Sequence, residues 1–496
     1  MVPMALRIPA IHFACCLVMG GMAQNEEDAL RIGTLMPGGT ARSTGMANAF
    51  GALGADGVSI AINPAGLGLY RTSELSLTPA LEVNDATATY HGMTSSDTET
   101  RLHFNNLVLA INDPSDKDSD WRSSTYGVAF DRQATHHWRH QAAGNDVPGS
   151  ILHNFYDQLV QYPVSEYETA LPFTGSLAWF AYGLDTLPGG QLFSTIPSGA
   201  NTDQLHTRET RGASSNTSFF FAGNYKDRLY IGASVGIVGH RYRRTLKHQE
   251  TFTNDDPAYV DRLNFREDLT TTGNGFEAKI GAIGRITDQF RLGVAFHTPQ
   301  WLRLSDSYVR ELSTYFPTAD SEGNFNYTAV SPDGVYNYRL VTPWKGVFSA
   351  AYIIGKQGLF SIDYEYQDMR NMRFRPSSRI VDDYDFRAEN AIMEEAFVPV
   401  HTVRAGTEWR TGRWYFRAGL GIATDPYAGN DLRYSNGMMI YALGAGYRGE
   451  HVGVDLGLNY SQRETRYFTY QYGGGLKPVV ADLSTMRTLV TVSFRP

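Results

Sequence analysis

The chain has 496 residues, of which 49 are glycine and 12% are aromatic, with 29 tyrosines against 7 tryptophans. Its mean hydropathy of −0.30 excludes a helical membrane protein. It is typical of a membrane barrel, in which only every second strand residue faces lipid. The net charge of −8 argues against a nucleic-acid partner, which would require a basic face.

Residues 1–23 have the pattern of a secretory signal peptide. Arg7 supplies the positive start, and the apolar stretch that follows, about fifteen residues long, is too short to span a bilayer comfortably. Gly21 and Ala23 are small residues at the two positions that a signal peptidase reads. We expect cleavage to leave Gln24 first, and an uncleaved anchor helix is the alternative.

Both cysteines, Cys15 and Cys16, lie inside this segment, and the residues before Cys15 do not form the small-residue motif of a lipoprotein. The mature chain is therefore expected to contain no disulfide, no thiolate metal site and no cysteine nucleophile.

The rest of the chain shows the periodicity of strands. No apolar run beyond residue 24 reaches about eighteen residues, so transmembrane helices are not expected. Apolar residues recur instead with a period of two, as where Leu229, Ile231 and Val235 share a face opposite Tyr230 and Ser234. We predict an all-β fold of about fourteen antiparallel strands. They lie near 73–91, 101–113, 123–133, 205–225, 228–250, 269–287, 290–305, 338–355, 358–375, 398–411, 413–425, 436–448, 452–468 and 484–495.

The connections between these strands alternate between short and long. Outer-membrane barrels alternate in this way because periplasmic turns are tight and outer loops are long, whereas a β-sandwich has no reason to. We therefore predict a closed transmembrane barrel with both termini on the periplasmic side. The short turns fall at 226–227, 287–289, 356–357, 411–412 and 449–451, and the long stretches near 134–204, 251–268, 306–337, 376–397, 425–436 and 469–483.

Charged residues fall on the strand faces opposite the apolar rows. A charge facing lipid would cost roughly 2–4 kcal/mol at the midplane, so these residues are predicted to line the lumen. Most are expected to pair with one another. Arg417 and Arg42 are our candidates for holding the N-terminal segment or an anionic ligand. The set is Glu277, Lys279, Arg285, Arg291, Asp363, Glu365, Arg404, Glu408, Arg417, Asp455 and Arg487.

Ser234 lies in a G-x-S-x-G pattern, which forms a nucleophile elbow when a strand, a sharp turn and a helix surround it. Here the pattern falls inside an alternating strand, so we interpret Ser234 as a lumen-facing strand residue. An outer-membrane lipase is the enzyme alternative, and we predict that the protein is not an enzyme.

Two clusters resemble metal sites. His136, His137, His140 and His153 are interpreted as residues of a solvated outer loop, because carboxylate or thiolate neighbours are lacking in the sequence. Asp116, Asp118 and Asp120 mimic the start of a calcium loop, but Trp121 and Gly127 replace the required glycine and glutamate. No metal and no cofactor are expected.

Residues 24–72 differ from the strands because small residues dominate them. They contain Gly39, Arg42 and Gly45, then Ala55-Asp56, then Asn63-Pro64-Ala65-Gly66 just before the first strand. Asn-Pro is a turn signal, since Asn tolerates tight turns and Pro fixes φ. We predict a hatch inside the lumen over 24–72 and the barrel wall over 73–496. A coil ahead of the first strand is the alternative.

This segment resembles the FadL/TodX family of outer-membrane hydrophobic-compound transporters. The resemblance rests on Gly39-x-x-Arg42-x-x-Gly45, on Ala55-Asp56 and on Asn63-Pro64-Ala65, and the run Asn63–Tyr70 is most similar to members common in Bacteroidetes. It implies a fourteen-stranded barrel plugged by its N-terminal hatch. It further implies passive uptake of long-chain fatty acids or aromatic hydrocarbons, which leave through an opening in the wall. No family motif identifies the ligand-contacting residues.

The predicted function is therefore an outer-membrane channel for hydrophobic molecules. The alternative is a barrel of the same type that acts as a type IX secretion shuttle or as a partner of surface proteins. The expected partners are membrane lipids, a hydrophobic small molecule and the barrel-insertion machinery, which reads a final strand ending in an aromatic such as Phe494. We expect a monomer.

Overall fold

The computed structural model describes residues 25–116, 118–254, 256, 258–377, 384–470 and 477–496. The predicted signal peptide over 1–23, with Arg7 and both cysteines, lies outside the described residues. Within the described ranges, no helix is both long enough and apolar enough to cross a membrane.

The described chain begins with the N-terminal segment, which we define as Asn25–Thr72. It contains helices α1 (Glu26–Gly33), α2 (Ala41–Thr44) and α3 (Ser59–Ile62), followed by a 3-10 helix over Pro64–Leu69. Helices α1 and α2 begin where a side chain satisfies free backbone N–H groups: Asn25 accepts from the N–H of Asp28, and Thr40 forms a capping box with Ser43.

Every later strand except a small hairpin belongs to one antiparallel sheet, which closes because β1 pairs with both β2 and β21. Four wall positions are each shared by two consecutive strands, namely β3 with β4, β10 with β11, β13 with β14, and β15 with β16. β12 pairs with β11 alone and occupies no wall position of its own. The nineteen strands of the sheet therefore form fourteen wall positions, as predicted. The strands are β1 (Glu74–Tyr90), β2 (Met93–Pro114), β3 (Trp121–Thr135), β4 (Trp138–Pro148), β5 (Leu184–Thr186), β6 (Leu192–Ser194), β7 (Asn201–Tyr225), β8 (Leu229–Thr251), β9 (Arg262–Arg285), β10 (Phe290–His297), β11 (Trp301–Tyr315), β12 (Asn326–Val330), β13 (Gly334–Val341), β14 (Lys345–Ile354), β15 (Gly358–Asp368), β16 (Arg373–Pro376), β17 (Pro399–Thr411), β18 (Trp414–Ala423), β19 (Met438–Arg448), β20 (Val452–Tyr467) and β21 (Val479–Phe494).

The two faces of the wall have opposite polarity. In β8, Leu229, Ile231 and Val235 are exposed on the outer face, while Tyr230 and Ser234 are buried on the inner face. Most of the predicted lumen charges are buried as well, including Asp363, Glu365, Arg404, Glu408, Arg417 and Asp455. A wall with apolar residues outside and charges inside suits a lipid surround.

Short connections lie at one edge of the barrel and long ones at the other, as predicted, except that a tight turn at His91–Gly92 lies at the long-connection edge. Phe494, which ends the last strand, lies at the short-turn edge. Asn25 does not, because α1 packs against α6 (Arg387–Ala396) and Glu26 pairs with Arg433 in the connection after β18. Asn25 and Phe494 therefore lie towards different edges of the barrel, and the periplasmic position of both termini stays a prediction.

The stretch predicted as one long connection, 134–204, is more ordered than expected. It contains β4, whose inner face carries the buried His140 and Ala142, as well as α4 (Ile151–Leu159) and α5 (Gly175–Phe180). The apolar residues Ile151, Leu152, Phe155, Leu159 and Val160 recur at helical spacing before Pro163, which predicts a helix here, and α4 confirms it. The interpretation of the histidines as solvated is wrong, because His136, His140 and His153 are all buried.

Two strands predicted as continuous are interrupted at the same height. The ladder between β10 and β14 ends at His297↔Lys345, and the one between β11 and β13 begins at Trp301↔Val341. Pro299 and Pro343 lie in the gap, and neither has the N–H that a regular ladder needs. The strand predicted over 358–375 is likewise divided, by a 3-10 turn at Met369–Asn371.

Candidate functional site

The N-terminal segment contacts the inner faces of strands from around the wall. In chain order, Gly38 and Gly39 contact β3, and α2 contacts β19 to β21. Phe50 and Gly51 then contact β15, and Asn63–Gly66 contacts β8 and β9. Almost all of it from Pro37 to Tyr70 is buried. The segment is therefore in contact with strands on several sides of the wall.

Arg42 ties the segment to the wall through an ion pair. Its Nε and Nη2 donate to the two carboxylate oxygens of Glu408 on β17, each at 3.0 Å, and its Nη1 donates to the Ala55 carbonyl at 3.1 Å. A planar guanidinium and a carboxylate held by two bonds form a pair of fixed geometry. Arg42 thus joins the wall to a second part of its own segment.

The second candidate, Arg417, belongs to the same network. Its Nε donates to Glu408 at 2.6 Å and its Nη1 to Asp455 at 2.8 Å, while Arg448 donates to the other oxygen of Asp455 at 2.7 Å. The order Arg42–Glu408–Arg417–Asp455–Arg448 alternates in charge, so each carboxylate lies between two cations. Arg417 is therefore paired with two carboxylates of the wall, and it holds Glu408 in position for the pair with Arg42.

Asp56 organises the segment internally. Its carboxylate accepts from the Thr40 hydroxyl at 2.8 Å and 3.0 Å and from the backbone N–H of Val58 at 3.0 Å. The adjacent Ala55 N–H donates to the carbonyl of Gly66 at 2.9 Å. The Ala55-Asp56 motif therefore holds the start of α2 and the end of the segment against each other.

Asn63, Pro64 and Ala65 form the turn that the sequence predicts. The Asn63 side chain accepts from the Ala65 N–H at 3.1 Å and donates to the carbonyls of Gly51 at 2.8 Å and Ala282 at 3.3 Å. Pro64 occupies the first helical turn, where its missing N–H costs nothing. One amide side chain thus links this turn to the middle of the segment and to β9.

The segment approaches the wall closely where the wall has glycine. A side-chain carbon at Gly232 would overlap Pro64, and one at Gly281 would overlap the Asn63 amide. Gly45 meets Gly444 of β19, with a side-chain carbon at Gly45 only 2.9 Å from the Gly444 Cα. The need for contact between backbones explains both the small residues of the segment and the inward glycines of the wall.

Two wall carboxylates hold the segment through its backbone, a role the sequence did not reveal. Asp131 on β3 accepts from the N–H groups of Gly38 at 3.1 Å and Gly39 at 3.2 Å, and Asp363 on β15 accepts from Phe50 at 2.8 Å and from Gly51. Asp363 was predicted only to face the lumen. Backbone donors carry no side-chain signal, so neither role could be predicted.

The wall has an incomplete ladder beside Asp131. The pairing of β2 with β3 runs from Pro114↔Ser123 to Asn106↔Asp131 and stops there, although β2 continues to Met93 with β1 as its partner. Beyond this point β3 and β4 turn towards the inner face of β1, where the Asn84 amide donates to the His137 carbonyl at 2.7 Å. In the described chain, the edge of β2 above Asn106 therefore has no ladder partner.

An apolar cluster lies at the edge of the barrel that carries the long connections. Ile151, Leu152 and Phe155 of α4 pack with Leu263 and Phe265 of β9. The helix is oriented by Glu250 of β8, whose carboxylate accepts from the Ile151 N–H at 2.7 Å and from His248 at 2.8 Å. The connection 149–200 thus covers the wall at the edge with long loops.

A second ion-pair group holds α1 at that edge. Arg433, in the connection after β18, donates to Glu26 at 2.5 Å and to Asp431 at 2.9 Å. Burial opposes the ionised form of Asp431, but hydrogen bonds from Arg433 outweigh it and keep the pKa of Asp431 below its usual value.

The other sequence motifs do not form a reactive site. Ser234 lies in mid-strand, paired with Phe220 and Lys279, so the turn and helix of a nucleophile elbow are missing there. Asp120 pairs with Lys226 at 3.0 Å at the short-turn edge. Over the described ranges, no group of three or more histidine, cysteine or acidic residues is arranged to hold a metal.

No family model matches the sequence, and no curated protein matches it. Among solved structures, a Pseudomonas aeruginosa FadL homologue matches with a TM-score of 0.54 at 14% identity, covering 93% of this chain and 98% of that chain. The chain shares the fold of this FadL homologue. The Pseudomonas putida toluene transporter TodX matches with a TM-score of 0.52 at 12% identity, over 92% and 97% of the two chains. The predicted FadL/TodX resemblance is thus confirmed as a likeness of fold.

Proposed function

We propose that this protein is an outer-membrane channel for the passive uptake of hydrophobic molecules. The observation that carries the proposal is the unpartnered edge of β2 above Asn106, beside the point where Asp131 holds the N-terminal segment. An unpaired strand edge is costly in lipid, so an unfinished ladder is a place where the wall can open. The shared fold with a FadL homologue and with the toluene transporter TodX supports the proposal.

In this proposal the N-terminal segment is the hatch. Its ties through Arg42, Asp56 and Asn63, together with the turn at Pro64–Gly66 and the close approach at Gly45, block a straight aqueous path through the barrel. A hydrophobic molecule therefore has to leave sideways. The apolar cluster around α4 would receive it at the outer edge, where long-chain fatty acids and aromatic hydrocarbons are the substrate classes we propose.

The lateral exit lies between the free edge of β2 and β3. Leu102 and Phe104 are strongly exposed on the outer side of that edge, while Asn105 on its inner side donates to the Gly39 carbonyl at 2.7 Å. A molecule released there passes from the lumen to lipid without crossing water, so apolar transfer alone provides the driving force. A small shift of Gly38 and Gly39 would open the path.

The polarity of the wall fits a Gram-negative outer membrane, with the short turns on the periplasmic side. Phe494 then ends the final strand at the periplasmic edge, where barrel-insertion machinery would read it. Membrane lipids and this machinery are the partners we propose, and a monomer satisfies every tie described above.

The exit is tested by cross-linking. Phe104→Cys with Arg132→Cys places thiols across it, where the Arg132 Nε now donates to the Phe104 carbonyl at 3.0 Å. A short bis-thiosulfonate reagent should lower uptake of labelled oleate and toluene by cells that lack their own hydrophobic channel, and a reductant should restore it. Leu109→Cys with Val128→Cys, a pair inside the finished ladder, is the control. Unchanged uptake with the first pair bridged rules out this exit.

A further inference from the structure

The peptide group between Gly38 and Gly39 is held from both sides of the proposed exit. On the side of β3, the Asp131 carboxylate accepts from the Gly39 N–H at 3.2 Å and from the Gly38 N–H at 3.1 Å. On the other side, which β2, β1 and β21 form, the Arg487 Nη2 of β21 donates to the Gly38 carbonyl at 2.9 Å. One peptide group of the N-terminal segment therefore lies between an anion and a cation of the wall.

The orientation of this peptide group suits both charges. In a trans peptide the C=O and the N–H point in opposite directions, and a dipole of about 3.5 D runs between them. Here the positive N–H end faces the Asp131 carboxylate, and the negative carbonyl end faces the Arg487 guanidinium. Both charges stabilise the same orientation, so the bond on one side favours the bond on the other.

Asn105 links β2 to the same place. Its Nδ2 donates to the Gly39 carbonyl at 2.7 Å, and its Oδ1 accepts from the Arg487 Nη2 at 3.1 Å. Asn105 is an extra residue of β2, since the register with β1 shifts beside it. A bulge of this kind changes the direction of a side chain, and that of Asn105 is buried against the segment.

Glycine is required at both positions of the dipeptide. A side-chain carbon at Gly38 would overlap the Arg132 carbonyl of β3 and would lie only 2.8 Å from the Asp131 carboxylate. Gly39 has a φ of +78°, which residues with a side chain rarely adopt. The two glycines thus allow the backbone to contact the wall directly.

Asp131 depends on these bonds to remain buried. Its side chain accepts from the N–H groups of Gly38 and Gly39 and from the Asn106 amide, the last at 3.2 Å. If the dipeptide moves away, a buried carboxylate loses two of these three donors, which is costly. The closed position is therefore the stable one.

We infer that the peptide group between Gly38 and Gly39 is a latch on the exit, and that Asp131 and Arg487 hold it as one unit. While both residues hold the latch, β2 and β3 are tied together through the N-terminal segment, and loss of either residue releases it. Arg487 is thus a positioning residue for uptake, although β21 does not border the exit. This inference rests on the proposed exit between β2 and β3.

Arg487→Met tests the latch from the end opposite to Asp131. Arg487 bonds to the carbonyl end of the peptide group, so a purely local effect would leave the amide hydrogens at the other end unchanged. Amide hydrogen exchange, measured on the full chain in nanodiscs, should instead become about tenfold faster at Gly38 and Gly39, as expected for the loss of a hydrogen bond to a charged group.

Two controls separate the latch from a general loosening. The amides of Phe50 and Gly51, which Asp363 holds elsewhere in the same segment, should keep their exchange rate in Arg487→Met. Arg466→Met removes an arginine of β20 that donates to Glu464 instead, and it should leave exchange at the latch unchanged.

Asp131→Asn combined with Arg487→Met tests whether the two residues act as one unit. The double variant should exchange at the latch no more than about twofold faster than the faster single variant, whereas the effects of independent residues multiply. Multiplied effects, or unchanged exchange in Arg487→Met, overturn the inference.

A bridge across the exit tests the latch even if these variants fail to fold. With Arg487 and Asp131 intact, bridging Phe104→Cys to Arg132→Cys should slow exchange at the latch at least about threefold, because the latch opens only when β2 and β3 separate. Unchanged exchange on bridging overturns the inference.

Uptake of labelled oleate and toluene by cells tests the proposed function separately. Uptake that the bridge blocks, together with unchanged exchange in Arg487→Met, overturns the latch alone. Coupled exchange without any uptake supports the latch and overturns the channel.

Discussion

Arg42 in the N-terminal segment and Glu408 on β17 form a two-bond ion pair, with both N···O distances at 3.0 Å. The same carboxylate accepts from Arg417 at 2.6 Å, so Glu408 lies between one cation of the segment and one of the wall. Since both partners are largely buried, the pair is shielded from solvent screening. The Glu408 carboxylate thus pairs with an arginine of the segment and with an arginine of the wall.

We expect Arg42→Ala to destabilise the protein and to loosen the segment. Breaking a buried pair commonly costs about 3–5 kcal/mol, but Arg417 still neutralises Glu408, so we expect a loss of about 2 kcal/mol in the free energy of unfolding. Denaturant unfolding followed by tryptophan fluorescence measures it. Arg42→Lys should recover less than half of the loss, because an ammonium cannot make both bonds.

Arg71→Ala is the matched control for Arg42→Ala. Arg71 lies in the same segment and pairs with Asp227 at 2.7 Å, but its side chain is 58% exposed. An exposed pair of this kind contributes little. Equal destabilisation by the two variants would show that burial of the Arg42 pair has no special importance.

Gly419→Val should displace the N-terminal segment from β18. A side-chain carbon at Gly419 would overlap the backbone of Met46, which has no flexible atom to move aside. We expect faster amide hydrogen exchange over residues 44–50 and a larger ion conductance in planar bilayers, because the segment no longer seals against the wall.

Gly421→Val provides the comparison on the same strand and face. Its side chain would meet that of Ile440 at 3.3 Å, and a side chain can adjust. If Gly421→Val raises conductance as much as Gly419→Val does, the contact between Met46 and Gly419 is not the seal.

The wall could be predicted from the sequence because its signals are local. Alternation in segments such as 229–237 and tight turns such as Lys226-Asp227 each involve neighbouring residues. The number of wall positions could therefore be predicted correctly from the sequence. The strand β4 was missed because barrel interiors are polar. Its inward residues include His140 and Gly144, and a polar inner face weakens the hydrophobic alternation that identifies strands.

The ties of the N-terminal segment could be predicted only in part. Arg42 and Asn63 were identified because their motif resembles a family. Asp131 and Asp363 were not assigned to this role, since they accept from backbone N–H groups that lie far away in the sequence. Spacing along the chain has no relation to such contacts, which exist only after the barrel has closed.

Asn63→Asp should weaken the turn that ends the N-terminal segment. The Asn63 amide donates to the carbonyls of Gly51 and Ala282, and a carboxylate would repel both. Leaving buried carbonyls unsatisfied costs about 1–3 kcal/mol, and we expect a loss in that range in denaturant unfolding. Asn201→Asp is the control, because the Asn201 amide is exposed and donates only to Asp146. A loss as large in Asn201→Asp would contradict the assigned role.

Val235→Arg tests whether the outer face of the wall lies in lipid. Val235 is 58% exposed and stands opposite Phe219 on the apolar side of β8. An arginine that faces lipid costs about 2–4 kcal/mol near the midplane, and this cost falls towards zero at the interfaces. We expect a loss of that size when unfolding is measured in phospholipid bilayers.

Val330→Arg separates the effect of lipid from the effect of losing an exposed valine. Val330 is 59% exposed, but it lies on β12, which pairs only with the outer part of β11 and not with the rest of the wall. Because the two valines are equally exposed, a loss of apolar surface alone would affect both variants equally. We expect Val330→Arg to change the free energy of unfolding by less than about 0.5 kcal/mol, as for an ordinary surface substitution. Equal effects at the two positions would argue against a lipid-embedded wall.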